Sequence, residues 1–461
     1  MKDEPIRWAP AISERGSMLR VIGVKDVWEL YSDVPKRLIL KEPPAVGFGH
    51  QLSEEELRRL WNSYMREVRA FTDPPPFMGG GWCPHMVPAL VDEVLRRGEF
   101  YTAYTPYQPE INQGLLQALF EYQSLMADLL EMDVVNASMY DGSTATAEAV
   151  LMAMRVTRRH RIVVSEALHP EYMETLRTWL MGPGAELVAA PLAEDGRLDM
   201  GGLEELVTRD TAALVVPNPN FFGELDDNME AYADLAHKRG ALFITVVEPL
   251  SLGLVKPPGS YGADIAVGEG QPLGLGMNYG GPGLGIFAVR WERRLVRQMP
   301  GRLIGMTRTA DGERAFTMIL QTREQHIRRE RATSNITTNE ALMAVAAAVY
   351  LTMLGANGLR RLARSIWLRS HYLARRLDEL PGVAAPRPSE LDFFKEFVAV
   401  FDKPYEEVHR FLLEKGVLGG LPLSRYWPSR SRESLFCTTE VHSRDDIDLL
   451  VDLIAEALGA R

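Results

Sequence analysis

Between about residue 115 and residue 290 the sequence alternates short apolar runs with stretches of helical length, and this alternation constrains the fold most. Residues 161–165, 185–190, 212–216 and 241–246 are apolar runs of strand length. Helical stretches fall at 115–130, 144–157, 170–180, 201–207 and 229–239. Strands that alternate with helices form a parallel sheet covered on both faces, which is why such strands are apolar throughout rather than at every second residue. The expected class is α/β, with a large, doubly wound, mostly parallel sheet.

The flanks read differently. The first 70 residues read as helical. Ser53 and Glu56 have the spacing of a capping box, and Leu57, Leu60, Trp61, Tyr64, Met65 and Val68 follow as one apolar stripe. Asp73 to Pro76 ends that helix, and Gly79, Gly80 and Gly81 form a shaped loop. A second helical region, 339–354, is rich in Ala, Leu and Val. After Gly355 a long helix runs to about residue 380, and 381–388 is a break. Strands at 397–401 and 434–438 and helices at 405–414 and 443–457 make a small α+β domain. The expected division is a helical N-terminal arm over 1–75, a large α/β domain over 76–354, and a linking helix with the small domain over 355–461.

Composition narrows the function. The chain has 461 residues, of which 46% are hydrophobic, enough for a large core, and a net charge of −11. So acidic a chain does not offer the basic face that nucleic acid requires. Cys83 and Cys437 are the only cysteines, which excludes a disulfide framework and a four-cysteine zinc site and fits a reducing compartment. The first ten residues lack an apolar signal core, and no run of about 18 uncharged apolar residues suggests a membrane span. A cytoplasmic protein without a metal site is expected.

Several segments can carry chemistry. Residues 136–145 join a short strand to a helix. There Gly142 permits a tight turn, and Ser143 and Thr144 stand at the helix N-terminus, a place suited to a phosphate or simply to a cap. His169 follows a strand, where an imidazole can stack on a flat ligand or satisfy a local hydrogen bond. Glu248 ends a strand, where a carboxylate can pair with a pyridinium nitrogen or be an ordinary strand-end acid. The Gly-rich run 271–285 suits close approach by another chain or a ligand. The segment 100–110 is dense in Tyr and punctuated by Pro, a composition suited to an interface. The charge-dense stretch 323–331 reads first as a solvated helix, with pairs such as Glu324 and Arg328, and second as an interface.

Taken in order, these segments closely resemble one family, the P-protein of the glycine cleavage system, in its form as subunit 1 of glycine dehydrogenase (decarboxylating). The matching pieces lie at 104–110, 136–142, 219–223, 251–254, 268–274, 297–302, 321–330 and 332–336. The resemblance implies a fold-type-I pyridoxal-phosphate architecture and an α2β2 assembly in which a homologous beta-type chain carries the Schiff-base lysine and the cofactor. It also implies a reaction, decarboxylation of glycine with transfer of the aminomethyl group to the lipoyl arm of the H-protein.

The lysine pattern agrees with that division of labour. A Schiff base needs a lysine amine. In this fold that lysine is expected beyond the strand-end acid, here near Gln271. The window 248–283 contains only Lys256, too early and followed by Pro257 and Pro258, and the next lysine is Lys395. Ser143, Thr144, His169, Glu248 and Gln271 are therefore expected to line a degenerate site that holds no cofactor. Tyr104, Tyr107 and Asn335 are the candidates to reach the partner's site. Two departures from the family pattern stand out: Glu248 in place of a shorter Asp, and Thr337 in place of Cys. Two other readings compete. One is a purely structural subunit, and the other is a self-sufficient pyridoxal-phosphate transaminase using Lys256.

Overall fold

The computed structural model describes residues 14–40, 47–48, 50–336 and 338–459. Thr337 and the first ten residues lie outside the described residues. The chain divides into two compact units between Ala70 and Phe71.

The N-terminal unit is helical, with helices at Arg15–Ile22 and Glu54–Glu67 and short 3-10 turns at Val27–Tyr31 and Lys36–Leu38. The second helix begins where the sequence places it. The Ser53 side chain accepts from the Glu56 amide, and the Glu56 carboxylate accepts from the Ser53 amide at 2.8 Å. This reciprocal cap satisfies two amides that a helix start otherwise leaves open. No residue of this helix is buried.

The larger unit is built on a seven-stranded sheet. Its strands are β1 (Val134–Val135), β2 (Arg161–Ser165), β3 (Glu186–Ala190), β4 (Thr211–Asn218), β5 (Leu242–Val247), β6 (Ile265–Glu269) and β7 (Gly285–Val289). Their spatial order is β1-β7-β6-β5-β4-β2-β3. The pairs β2/β3, β2/β4, β4/β5 and β5/β6 are parallel, while β7 runs antiparallel to both β6 and β1. Every residue of β4, β5 and β7 is buried, as a sheet covered on both faces requires.

Alternate residues of these strands feed two cores. Leu214, Val216 and Phe243 face helix α1 (Gln113–Leu130) and the apolar start of a long helix, Ala341–Asp378. Val215, Ile244 and Val267 face α2 (Gly142–Thr157) and α3 (Pro170–Leu180). The doubly wound α/β class is thus as expected. Strands β6 and β7 flank the Gly-rich run 271–285 and, like the hairpin Leu303–Arg308/Arg314–Ile319, are not among the expected strands.

The long helix, α4 (Ala341–Asp378), contains a non-helical Gly355 (φ 58°), the break the sequence placed there. The sequence reading found no run apolar enough to span a membrane. This helix does meet that standard by composition, but half of the qualifying stretch is buried within the protein. It is a core helix. Beyond it, β8 (Val383–Ala384), β9 (Glu396–Phe401), β10 (Leu421–Pro422) and β11 (Glu433–Cys437) form an antiparallel sheet in the order β8-β9-β11-β10. Helices α5 (Tyr405–Glu414) and α6 (Arg444–Leu458) pack on it around Phe397, Phe401 and Phe436.

One expectation is corrected. Cys83 and Cys437, read as the thiols of a reducing compartment, are bonded to each other across 354 residues of sequence. Nothing in their spacing signals this, because the fold alone brings the Gly79–Gly81 loop against β11.

The loop after β4 is fixed to β9 by close packing and charge. A Cβ on Gly223 (φ +89°) would stand 1.8 Å from the Glu396 carbonyl oxygen, so only glycine fits. Beside it, buried Glu224 accepts two hydrogen bonds from Arg387, each 2.9 Å, and the same guanidinium lies over the Phe222 ring. Arg387→Ala would leave this carboxylate buried without its cation. Denaturant titration should show a loss of about 3–5 kcal/mol. A loss within about 0.5 kcal/mol, as at an ordinary surface site, would contradict this account.

Candidate functional site

The carboxyl ends of four neighbouring parallel strands, β2, β4, β5 and β6, meet at one edge of the sheet. In open α/β sheets that edge is where ligands bind. It gathers His169 after β2, Asn218 at the end of β4, Glu248 after β5 and Glu269 at the end of β6. With Gly81, Tyr172, Phe221 and Glu396, the residues His169, Glu248 and Glu269 enclose a cavity of about 90 Å³. Four of the five candidates for the degenerate site, Ser143, Thr144, His169 and Glu248, lie at or beside this edge. The fifth, Gln271, follows Glu269 but turns inward: it is fully buried, and its Nε2 donates to the Leu275 carbonyl at 2.9 Å.

Ser143, Thr144, His169, Glu248 and Glu269 each have a partner within the chain. Asp141 caps α2, with Oδ1 accepting from the Thr144 amide at 2.8 Å and from the Ser143 hydroxyl at 2.7 Å. Glu269 Oε2 accepts from the Gly142 amide at 2.9 Å, and its Oε1 accepts from the Gln271 and Leu284 amides at 2.9 and 3.0 Å. Over Gly142 lies the Tyr172 hydroxyl, 2.1 Å from where a Cβ would stand. His169 Nδ1 accepts from the Glu171 amide at 3.1 Å, so the proton sits on Nε2 and is donated to the Gly80 carbonyl at 2.9 Å. The His169 ring packs against Tyr172 and Phe221.

Glu248 is likewise engaged. Oε2 accepts from the Ser251 amide at 2.7 Å, and Oε1 lies 3.2 Å from the Lys395 ammonium. Lys395 is 2% exposed and continues a buried polar chain through His85 to Glu440.

These residues do not fit pyridoxal phosphate. The helix N-terminus that would receive a phosphate faces two carboxylates, Asp141 and Glu269, which repel an anion. The acid that would meet a pyridinium is matched to a fixed ammonium instead. Lys256 lines a different cavity, with Asp226, Asp227 and Glu390, whose lining includes neither Glu248 nor His169.

The candidates for reaching a partner gather elsewhere. Tyr104 is exposed and shares a hydrogen bond with Thr338. Tyr107 is 45% exposed, and its phenolic oxygen accepts from Arg302 at 2.9 Å. Asn335 is exposed, and its Oδ1 accepts from Gln325 at 3.2 Å. Four of the motif segments, 104–110, 297–302, 321–330 and 332–336, thereby form one face. The stretch 323–331 is not the solvated helix expected. It breaks into short turns, Arg323 is buried, and Glu324 turns inward to Arg302 and His326 rather than to Arg328.

The glycine cleavage system P-protein family model matches residues 8–454. The chain belongs to the P-protein family. It is 54% identical, over 96% of each chain, to a probable glycine dehydrogenase (decarboxylating) subunit 1 of Aeropyrum pernix. A solved glycine decarboxylase (P-protein) of the glycine cleavage system, in inhibitor-bound form, matches with a TM-score of 0.87 and 42% identity. That match covers 98% of this chain and all of the other. A Burkholderia pseudomallei sphingosine-1-phosphate lyase shares the fold alone, with a TM-score of 0.64 at 16% identity. The designation subunit 1 implies a second subunit beside those relatives.

Within this P-protein chain the sequence reading missed Glu269, Lys395, Tyr172 and Arg302. Two of them left a signal. Glu269 ends an apolar run just as Glu248 does, and Lys395 stands alone among aromatic residues at the start of a strand.

Burial pushes the Glu269 carboxyl up to about 7, with three amides pulling against the rise and the Asp141 charge adding to it. The folded chain therefore holds this proton more tightly than the unfolded chain, and stability falls as pH rises from about 4.5 to about 7. At roughly 1.4 kcal/mol per unit this reaches about 3 kcal/mol. Glu269→Gln should flatten the difference in unfolding free energy between pH 5 and pH 8 by that order. Parallel pH profiles for the two proteins would refute the assignment.

Proposed function

We propose that this chain is the alpha-type subunit of a glycine decarboxylase that acts in the glycine cleavage system. In this reading a homologous beta-type chain holds pyridoxal phosphate on its own lysine, and two copies of each chain form an α2β2 heterotetramer. The observation that carries it is the self-occupied sheet edge. Glu269 and Asp141 stand where a phosphate would sit, Lys395 neutralises Glu248, and Gln271 stands buried where a lysine is needed. A P-protein family member with such an edge needs its cofactor elsewhere. The transaminase reading loses its support, because Lys256 lies in a separate cavity. Cytoplasmic action is part of the proposal, as is transfer of the aminomethyl group to the lipoyl arm of an H-protein.

Bound on the second chain, pyridoxal phosphate supplies the electron sink for loss of carbon dioxide from glycine. This chain's contribution is the Tyr face. Because Tyr107 oxygen already accepts from Arg302, its one proton is free to be donated outward. Tyr104 and Asn335 flank it as polar groups of the same face. Exposed Tyr101, Ile111 and Ile327 lie on the same segments, and Tyr279 is fully exposed in the Gly-rich run, as a surface covered by another chain would have them.

Removing a positioned hydroxyl lowers a rate by one to a few orders of magnitude, at about 1.4 kcal/mol per factor of ten. Tyr107→Phe in the assembled complex should therefore slow glycine–bicarbonate exchange at least tenfold while light scattering still reports an intact tetramer. Wild-type exchange by Tyr107→Phe and Tyr107→Ala in intact complexes would instead favour the purely structural subunit.

A further inference from the structure

We infer that Arg302 is the positioning residue that aims Tyr107, a role that rests on the reading of Tyr107 given above. Arg302 is 2% exposed, yet it lies directly behind a tyrosine that is 45% exposed. Its Nη2 donates to the Tyr107 oxygen at 2.9 Å, and its guanidinium carbon lies 5.3 Å from the centre of the Tyr107 ring. The His326 ring meets the same tyrosine edge-on, with centroids 5.6 Å apart. Behind the pair, Glu324 is 8% exposed, with Oε2 3.5 Å from Arg302 Nε and 3.7 Å from His326 Nδ1. One buried carboxylate thus lies close behind both groups that touch the ring.

The arrangement has a chemical consequence. A phenol that receives an N–H on its oxygen has one remaining polar function to direct, its own proton. With Arg302 filling the inner side, that proton is left for an acceptor outside this chain. A planar guanidinium can meet a hydroxyl and a carboxylate from different nitrogens at once, whereas a lysine ammonium offers a single point. Among the described residues Arg302 Nε and Nη1 make no hydrogen bond, and Nη2 gives its hydrogen bond to Tyr107. Backbone packing adds rigidity, because the Arg302 carbonyl accepts from the Ala137 amide at 2.8 Å.

The test is a double-mutant cycle in the co-expressed two-chain complex, with exchange of glycine and bicarbonate as the readout and light scattering to verify assembly. Arg302→Lys should lower kcat about tenfold and move the KM for glycine less than about threefold. In the Tyr107→Phe background it should add less than about twofold, because its effect passes through the missing hydroxyl. Glu324→Gln, which leaves Arg302 in place without that carboxylate, should show the same coupling and serves if Arg302→Lys does not assemble. Independent, multiplying effects of the Arg302 and Tyr107 substitutions would overturn the proposal while leaving Tyr107 in its role. Full activity of Tyr107→Phe would sink the reading on which it rests. Failure of both Arg302→Lys and Glu324→Gln to assemble would mark Arg302 as structural and overturn the proposal too.

Discussion

A single carboxylate, Glu269, holds together the part of the sheet where a ligand would be expected. Its two oxygens accept from the first amide of α2, from the amide two residues on in its own loop, and from the amide just before β7. The end of one strand, the start of a helix and the start of the next strand are tied at one point. A helix N-terminus satisfies its free amides with whatever anion is at hand. Here the chain supplies that anion itself, and the burial it requires raises the affinity of Glu269 for a proton. The same economy appears at Glu248, whose partner is the buried Lys395. Both ends of the edge are closed by charges that belong to the fold.

A scaffold closed in this way is free to present chemistry on another surface. Other family-like segments, the tyrosine loop and the stretch from Gln321 to Ile336, do not line the closed edge. They meet on an outer face, with Tyr104, Tyr107 and Asn335 exposed and Arg302 and Glu324 buried behind them. Buried charge behind exposed aromatic residues is costly for a chain on its own, and it gains a purpose when a second chain covers the face.

Much of this was legible in the sequence, and the reasons are specific. The strands 161–165 and 242–247 and the helices 170–180 and 405–414 follow from apolar period and length, which need no distant partner. The Ser53 cap was readable because both of its partners lie within four residues. The absence of a lysine near Gln271 was legible because it is a matter of composition in one window. What could not be read depends on contacts between distant segments. Lys395 meets Glu248 across 147 residues, Arg302 meets Tyr107 across 195, and Cys83 meets Cys437 across 354. The stretch 323–331 misled for the same reason, since its charges read as solvated until the fold turned Glu324 toward Arg302.

The central claim is that this chain's own sheet edge is closed to the cofactor while the assembled enzyme depends on one. The most direct measurement is borohydride reduction of the co-expressed two-chain complex, followed by peptide mapping of the pyridoxyl group. The account predicts that every labelled lysine belongs to the second chain, and that this chain purified alone shows neither label nor cofactor absorbance. A pyridoxyl group on Lys256 or Lys395 of this chain would contradict it.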